Sequence, residues 1–300
     1  AAGHVGYGAS APSSYYGETP ESVAAALPDL LDVVTDVGDP HAQQRIARRM
    51  HEVAPEAAAA RAAVSVAVHD LAARQGQEPL YRRWGLDPDA APSTSYTVGI
   101  ADSKTMAERA RAVVDEGFSK LKIKLGTDDD RARLEAVRAA APDATIRVDA
   151  NAAWTPAEAE AALDWLAEGG VELLEQPVPA DDLAGLSRVR GASSIPIAAD
   201  ESCVTATDVP AVASAVDVVV VKLMKCGGLR PALRQIAATN AHGLDAMLGC
   251  MVESAPSIAG ACHLAPFVEY VDLDGALLLE CDAYEGIQMP GGDLDLSAVT

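Results

Sequence analysis

The sequence predicts an α/β protein, a parallel barrel preceded by a small helical module, and three observations carry that expectation. Eight short runs rich in β-branched residues follow one another, amphipathic helical stretches fill the seven intervals between them, and charged residues end most of the runs. Strands in such alternation pair in parallel, because a helical crossover returns the chain to the same end of the sheet. A doubly wound open sheet is the competing architecture. No GxGxxG turn follows the first strand, however, and eight near-regular units suit closure into a barrel better.

Ala1 to Ser10 begins without Met and contains GHVGYG, which reads as the tail of a hairpin from a longer N-terminal piece. Thr19-Pro20-Glu21 is a helix cap with Pro at the first helical position, and alanine-rich periodic stretches continue through 41–52 and 55–74. Residues 85–95, GLDPDAAPSTS, mark a boundary by their Pro, Asp and Ser content. The strands then read SYTVGI (95–100), KLKIKLG (120–126), TIRVDAN (145–151), VELLEQP (171–177), IPIAADE (195–201), DVVVVKLMK (217–225), DAMLGCM (245–251) and YVDLD (270–274).

Composition narrows the function. A formal charge of -21, from 23 Lys+Arg against 44 Asp+Glu, argues against nucleic acid or anionic membrane as partners. The five cysteines (Cys203, Cys226, Cys250, Cys262, Cys281) form no CxxC pair and read as reduced thiols. No apolar run reaches the roughly 18 residues of a membrane span, and no signal pattern opens the chain. A cytoplasmic protein acting on a small molecule is the expectation, with a homo-oligomer allowed.

In a parallel barrel, functional groups gather at the C-terminal ends of the strands. Those ends carry Lys122 and Lys124, then Asp149 and Asn151, Glu175, Asp200 and Glu201, Lys222 and Lys225, Glu253 just past the seventh strand, and Asp272 and Asp274. Lys124, Asp149, Glu175, Asp200 and Lys222 recur at intervals of 25, 26, 25 and 22 residues, about one βα unit each, so they should meet on one rim. Three consecutive strands offering carboxylates without His or Cys beside them suit a hard divalent cation, and Mg²⁺ is its natural identity. The six histidines (His4, His41, His51, His69, His242, His263) avoid strand ends, which disfavours zinc.

Lysine usage sharpens the pattern. Only six lysines occur, Lys104, Lys120, Lys122, Lys124, Lys222 and Lys225, and four of them lie in the motifs KIK and KLMK. An amine among other cations and partly desolvated is expected to have a lowered pKa and to act as a base. Lysines on the second and sixth strands would face one another across the mouth, one taking a proton and the other returning one. Singly, a strand-end Asp or Glu is as well read as a helix cap, and a lone Lys as a surface charge. Independent caps would not produce Lys, Asp, Glu, Asp, Lys in successive units.

The motifs KIK (122–124), VDAN (148–151), EQP (175–177), ADES (199–202), KLMKCGG (222–228) and GCMVES (249–254) together resemble the enolase superfamily and, within it, the muconate-lactonizing-enzyme subgroup. ARAAVSVAVHDLAARQGQEPLYRRWG (60–85) is similar to the helical end of that family's capping domain. The resemblance implies a (β/α)7β TIM-like barrel over 93–284, an incomplete α+β capping domain over 1–92, and a segment over 285–300 returning to it. It makes Asp149, Glu175 and Asp200 the Mg²⁺ ligands, with Asn151 and Glu201 supporting them. Lys124 and Lys222 become the acid/base pair, aided by Lys122, and the family's chemistry stabilises an enolate-like species. Asp272-Leu273-Asp274 looks like the DxD motif of dipeptide epimerases, whose carboxylates hold a substrate ammonium. Met251, Glu253 and Lys225 are expected to face the same substrate.

An Ala-Glu type dipeptide is the substrate the resemblance suggests. Rival readings are a succinylbenzoate synthase, an N-acylamino acid racemase or a cycloisomerase of the same subgroup, and, outside catalysis, a barrel that binds metal and a small acid. The chain departs from the family at GYGAS (6–10), where a GxGEA-like turn is expected, and the strands and specificity loop that open the capping domain have no counterpart before Ala1.

Overall fold

The structure is a computed structural model, and it describes residues 3–296. Near the N-terminus, Ser22 N–H donates to the Thr19 hydroxyl and Thr19 N–H to the Ser22 hydroxyl, while Pro20 sits in the first turn where no N–H is needed. This capped helix, α1 (Pro20–Val37), packs with α2 (Gln43–Val53) and α3 (Ala58–Gly76), and the turn α4 (Leu80–Arg83) leads on to the barrel. Buried Ala59, Ala60, Ala62, Val64 and Val66 give α3 small sides, so it lies between the helical module and the barrel. The GHVGYG stretch forms no hairpin among the described residues. It runs along α3 so closely that a Cβ on Gly6 or Gly8 would stand 2.0 Å from the carbonyl oxygens of Ala67 and Ala63.

The barrel alternates β1 (Tyr96–Val98), α5 (Ser103–Asp115), β2 (Lys120–Lys124), α6 (Asp130–Ala140), β3 (Thr145–Asp149), α7 (Pro156–Glu168), β4 (Val171–Glu175), α8 (Leu183–Ala192) and β5 (Ile197–Ala199). It continues through α9 (Val209–Val212), β6 (Val218–Lys222), α10 (Leu223–Cys226), α11 (Leu229–Ala241), β7 (Asp245–Gly249), α12 (Ala255–Cys262) and β8 (Tyr270–Asp272). The eight strands pair in sequence order, all in parallel. Ser95 N–H donates to the Val271 carbonyl at 3.2 Å and brings β8 back to β1, so the barrel is nearly closed. All eight expected strands are present, with shorter limits. The sixth ends at Lys222 rather than at residue 225, because Leu223–Cys226 winds into a helical turn.

Period two decides what faces inward. Leu121, Ile123, Ile146, Val148, Leu174, Val219 and Val221 pack outward on the helices in a core continuous with the helical module. Leu173, Ala198, Val218, Val220 and Met247 fill the lumen, with Tyr270 against them. The lumen also holds the buried Arg147, which donates to the Val271 carbonyl and to Glu172. Tyr284, just before the C-terminal segment, meets Tyr7 edge-on at 5.9 Å, and within the segment the Gly292 carbonyl accepts from Thr94 N–H at 2.8 Å; residues 297–300 lie outside the described residues. No helix among the described residues is long and apolar enough to cross a membrane.

Candidate active site

Register builds the upper rim. Lys124 pairs with Asp149 across β2 and β3, Asp149 with Glu175 across β3 and β4, and Lys222 with Gly249 and Gly249 with Asp272 on the far side. Lys122, two residues before Lys124, shares the inward face. The result is a chain of charges, buried except for the part-exposed Lys124. Lys124 Nζ donates to Asp149 Oδ2 at 2.6 Å and to Asn151 Oδ1 at 2.8 Å. Lys122 Nζ lies 3.3 Å from Glu175 Oε2, 3.4 Å from Asp149 Oδ2, and in a tight ion pair with Asp272. Lys222 Nζ donates to Asp200 Oδ2 at 2.6 Å.

These pairings set the protonation states. Burial pushes Asp149 upward, but Lys124 and Lys122 outweigh it and hold the carboxyl at about 2. Asp200, buried likewise, is held still lower by Lys222 and Lys225. Burial lowers Lys122 and Lys222, yet Asp272 and Glu175 beside the first, and Asp200 and Glu175 beside the second, raise both above the usual lysine value. The expectation of a lowered pKa is therefore corrected for Lys122 and Lys222, because the nearest charges to these two ammonium groups are carboxylates rather than other cations. Glu175 behaves oppositely, because burial and the neighbouring Asp149 lift it to about 8.

Glu175 is 1% exposed and its Oε1 has no hydrogen-bond partner. An orphaned carboxylate oxygen beside Asp149 and Asp200 is what a hard cation would satisfy, and three oxygen donors without nitrogen or sulfur fit Mg²⁺. No cluster of three acidic, His or Cys side chains is drawn together as a finished ligand set among the described residues. The ammonium groups of Lys122, Lys124 and Lys222 lie against these carboxylates, and the all-oxygen chemistry of the donors fits the ion.

The rim opens on a cavity of about 350 Å³ whose wall includes all three lysines, Asn151, Asp200, Glu201, Met251, Asp272 and Asp274. A sequence model described as "Enolase C-terminal domain-like" matches residues 105–285. The chain belongs to this family. An L-Ala-D/L-Glu epimerase of Bacteroides thetaiotaomicron is 35% identical over 98% of this chain and 76% of its own length. A hydrophobic dipeptide epimerase of Enterococcus faecalis is 38% identical over 93% of this chain and 81% of its own. Among solved structures, a dipeptide epimerase from Enterococcus faecalis complexed with Mg and the dipeptide L-Leu-L-Tyr superposes with a TM-score of 0.90 at 36% identity, over 97% of this chain and 85% of the other.

Not every residue expected at the substrate of this enolase-type barrel reaches the cavity wall. Lys225 is wholly buried: the α10 turn folds its ammonium inward, where it donates to Asp200 Oδ1 and to the carbonyls of Asp200, Cys203 and Val220. It holds Asp200 and does not line the cavity. Glu253, 4% exposed, turns back to accept Met251 N–H at 2.9 Å and so shapes the loop after β7. Asp272 accepts from Ser95 Oγ at 2.6 Å besides pairing with Lys122, and Asp274 accepts from Thr97 N–H. Burial and the neighbouring Asp272 raise Asp274 to about 7. Asn151 Nδ2 donates to Glu201 Oε1 at 3.2 Å.

Sequence reading missed several wall residues: Ser13, Tyr15 and Tyr16 from the N-terminal stretch, Thr97 from β1, and Val252 and Leu278 from loops. The Ser13 hydroxyl accepts from Tyr15 N–H and Gly17 takes a left-handed φ of 75°, so SSYYG forms a single capped turn over the mouth. The pair of cap and glycine was the readable signal.

Proposed function

We propose that this chain, an isomerase by family, epimerises a dipeptide by moving the α-proton next to the C-terminal carboxylate between two lysines. The observation that carries the reading is that Lys124 and Lys222 line one cavity from the ends of β2 and β6, while Asp149, Glu175 and Asp200 follow or end the three strands between them. Asp149, Glu175 and Asp200 would hold Mg²⁺, which when bound would supply positive charge that favours an enolate-like state over the ground state. As a neutral amine, one lysine takes the α-proton from one face. The other, as an ammonium, delivers a proton to the opposite face, and the configuration inverts.

Which face each lysine serves follows the substrate's pose. Lys124, a quarter exposed, is the more open of the two, whereas Lys222 is 6% exposed. Lys122 stays an ammonium, wedged among Asp149, Glu175 and Asp272, and its charge favours the same enolate-like state. Asp272, paired with Lys122, and Asp274 would receive the dipeptide's ammonium group in a charge-assisted pair. An Ala-Glu type dipeptide is the first substrate to try, beside apolar ones, given the names of both relatives.

Proton NMR in D₂O with Mg²⁺ and a panel of L,L-dipeptides tests this. The expected result is loss of the α-proton signal of the C-terminal residue together with new diastereomer peaks. Exchange confined to succinylated amino acids would move the chain to a racemase or synthase, and no exchange with either class would remove the catalytic reading.

A further inference from the structure

Gln176 is 0% exposed and carries a φ of 37°, a left-handed backbone that a non-glycine residue holds only when its surroundings impose it. It also precedes Pro177, where extended backbone is favoured. Its bonds account for that conformation. The side-chain oxygen accepts from Asp200 N–H at 3.0 Å and Ser202 N–H at 3.1 Å, and the amide nitrogen donates to the Val178 carbonyl and to Ser202 Oγ, both at 2.8 Å. All four hydrogen-bonding positions of the amide are used. Its backbone carbonyl accepts from Ala152 N–H at 2.8 Å, in the loop after Asp149, and its N–H donates to the Ala198 carbonyl at 2.9 Å, two residues before Asp200.

One residue thus ties together the strand ends that bear Asp149, Glu175 and Asp200. Asp149 lies three residues before the Ala152 bond, Glu175 is the preceding residue, and Asp200 donates its own N–H. We infer that Gln176 is a positioning residue that sets the spacing of these three carboxylates for a divalent cation; this rests on the metal site of the proposed function. Its amide, rather than its backbone twist alone, is the working part. Lys225 also braces the Asp200 carboxylate, so removing Gln176 loosens the junction without leaving a buried charge unpaired.

Two variants of the full chain separate amide from backbone. Gln176→Met keeps the side chain's bulk and deletes its four bonds, while Gln176→Gly deletes the bonds and relieves the positive φ. Isothermal calorimetry with MgCl₂ on both is expected to give binding weakened about tenfold or more, with cooperative melts retained. At saturating Mg²⁺, KM for a dipeptide should move less than about threefold, since Asp272 and Asp274, proposed to receive its ammonium, bond to Ser95, Lys122 and Thr97 rather than to Gln176.

Wild-type Mg²⁺ affinity in Gln176→Gly would overturn the inference, because the twist alone would then suffice. If Gln176→Met fails to fold, Gln176→Gly, free of strain, decides the question. Absence of Mg²⁺ binding by the wild-type chain would remove the metal site and this role with it. Mg²⁺ binding that weakens in the variants, without dipeptide exchange by the wild type, would leave the role standing and reject the epimerase reading.

Discussion

Lys122, Lys124 and Lys222 were marked by scarcity, in a chain that uses arginine for most of its positive charge. Their positions were legible because inward residues of successive strands recur with the βα unit. Their protonation was not, since it depends on which oxygen lies within 3 Å or so, and no spacing in a sequence gives that distance. Lys222→Ala and Lys124→Ala should each lower epimerisation by at least about a hundredfold, the usual scale for a positioned acid or base. One variant should still exchange the α-proton of a single stereoisomer in D₂O, because a lone lysine can remove and replace a proton on its own face. Normal epimerisation by both single variants would exclude a two-lysine mechanism. Lys225 shows the limit of motif reading: KLMK places two lysines three residues apart, and only the helical turn that begins at Leu223 brings the second to Asp200.

Among the elements, α3 depends on close approach. Gly228 takes a φ of 114° between α10 and α11, and a Cβ there would lie 2.4 Å from Ser65 Cβ on α3. Leu229 N–H, one residue on, donates to the Ser65 hydroxyl at 3.2 Å, so the glycine fixes where the helical module meets the barrel. Gly228→Ala combines a strained φ with a buried overlap and should destabilise by about 2 kcal/mol or more, read as a lower urea midpoint at unchanged m-value. An unchanged midpoint would mean that the module can shift without cost. The GG pair after KLMKC was visible in the sequence, but its partner lies 163 residues earlier and is reached only by folding.

Across the whole molecule, two buried histidines each contribute a loss of stability in acid, against the opposite contribution of the raised Glu175 and Asp274. Burial pushes His69 down to about 4, with its Nδ1 donating to the Ser65 carbonyl and its Nε2 unpartnered, and burial pushes His263 to about 4 as well. Both rings are ordinary in the unfolded chain, near pH 6.5, so between 6.5 and 4 the unfolded state binds more protons. Stability from these rings is full above pH 6.5 and falls as pH drops through that window, by on the order of 3 kcal/mol per ring over its whole width. Urea melts of the wild type and of a His69→Gln, His263→Gln double variant at pH 7.5 and 5.0 check this. The variant should lose less stability on acidification, and parallel losses would deny the histidines that role.

The sequence alone determined the parallel strand order, the inward set of Lys, Asp and Glu and the family, because each follows from local periodicity and from motifs read along one strand at a time. Tertiary structure alone decided which carboxylate each ammonium faces, that Lys225 and Glu253 turn away from the cavity, that SSYYG closes over the mouth, and that Gln176 joins three strand ends. Those are distances between segments remote in sequence, fixed by the twist and closure of the barrel and by how far a helical turn rotates one side chain.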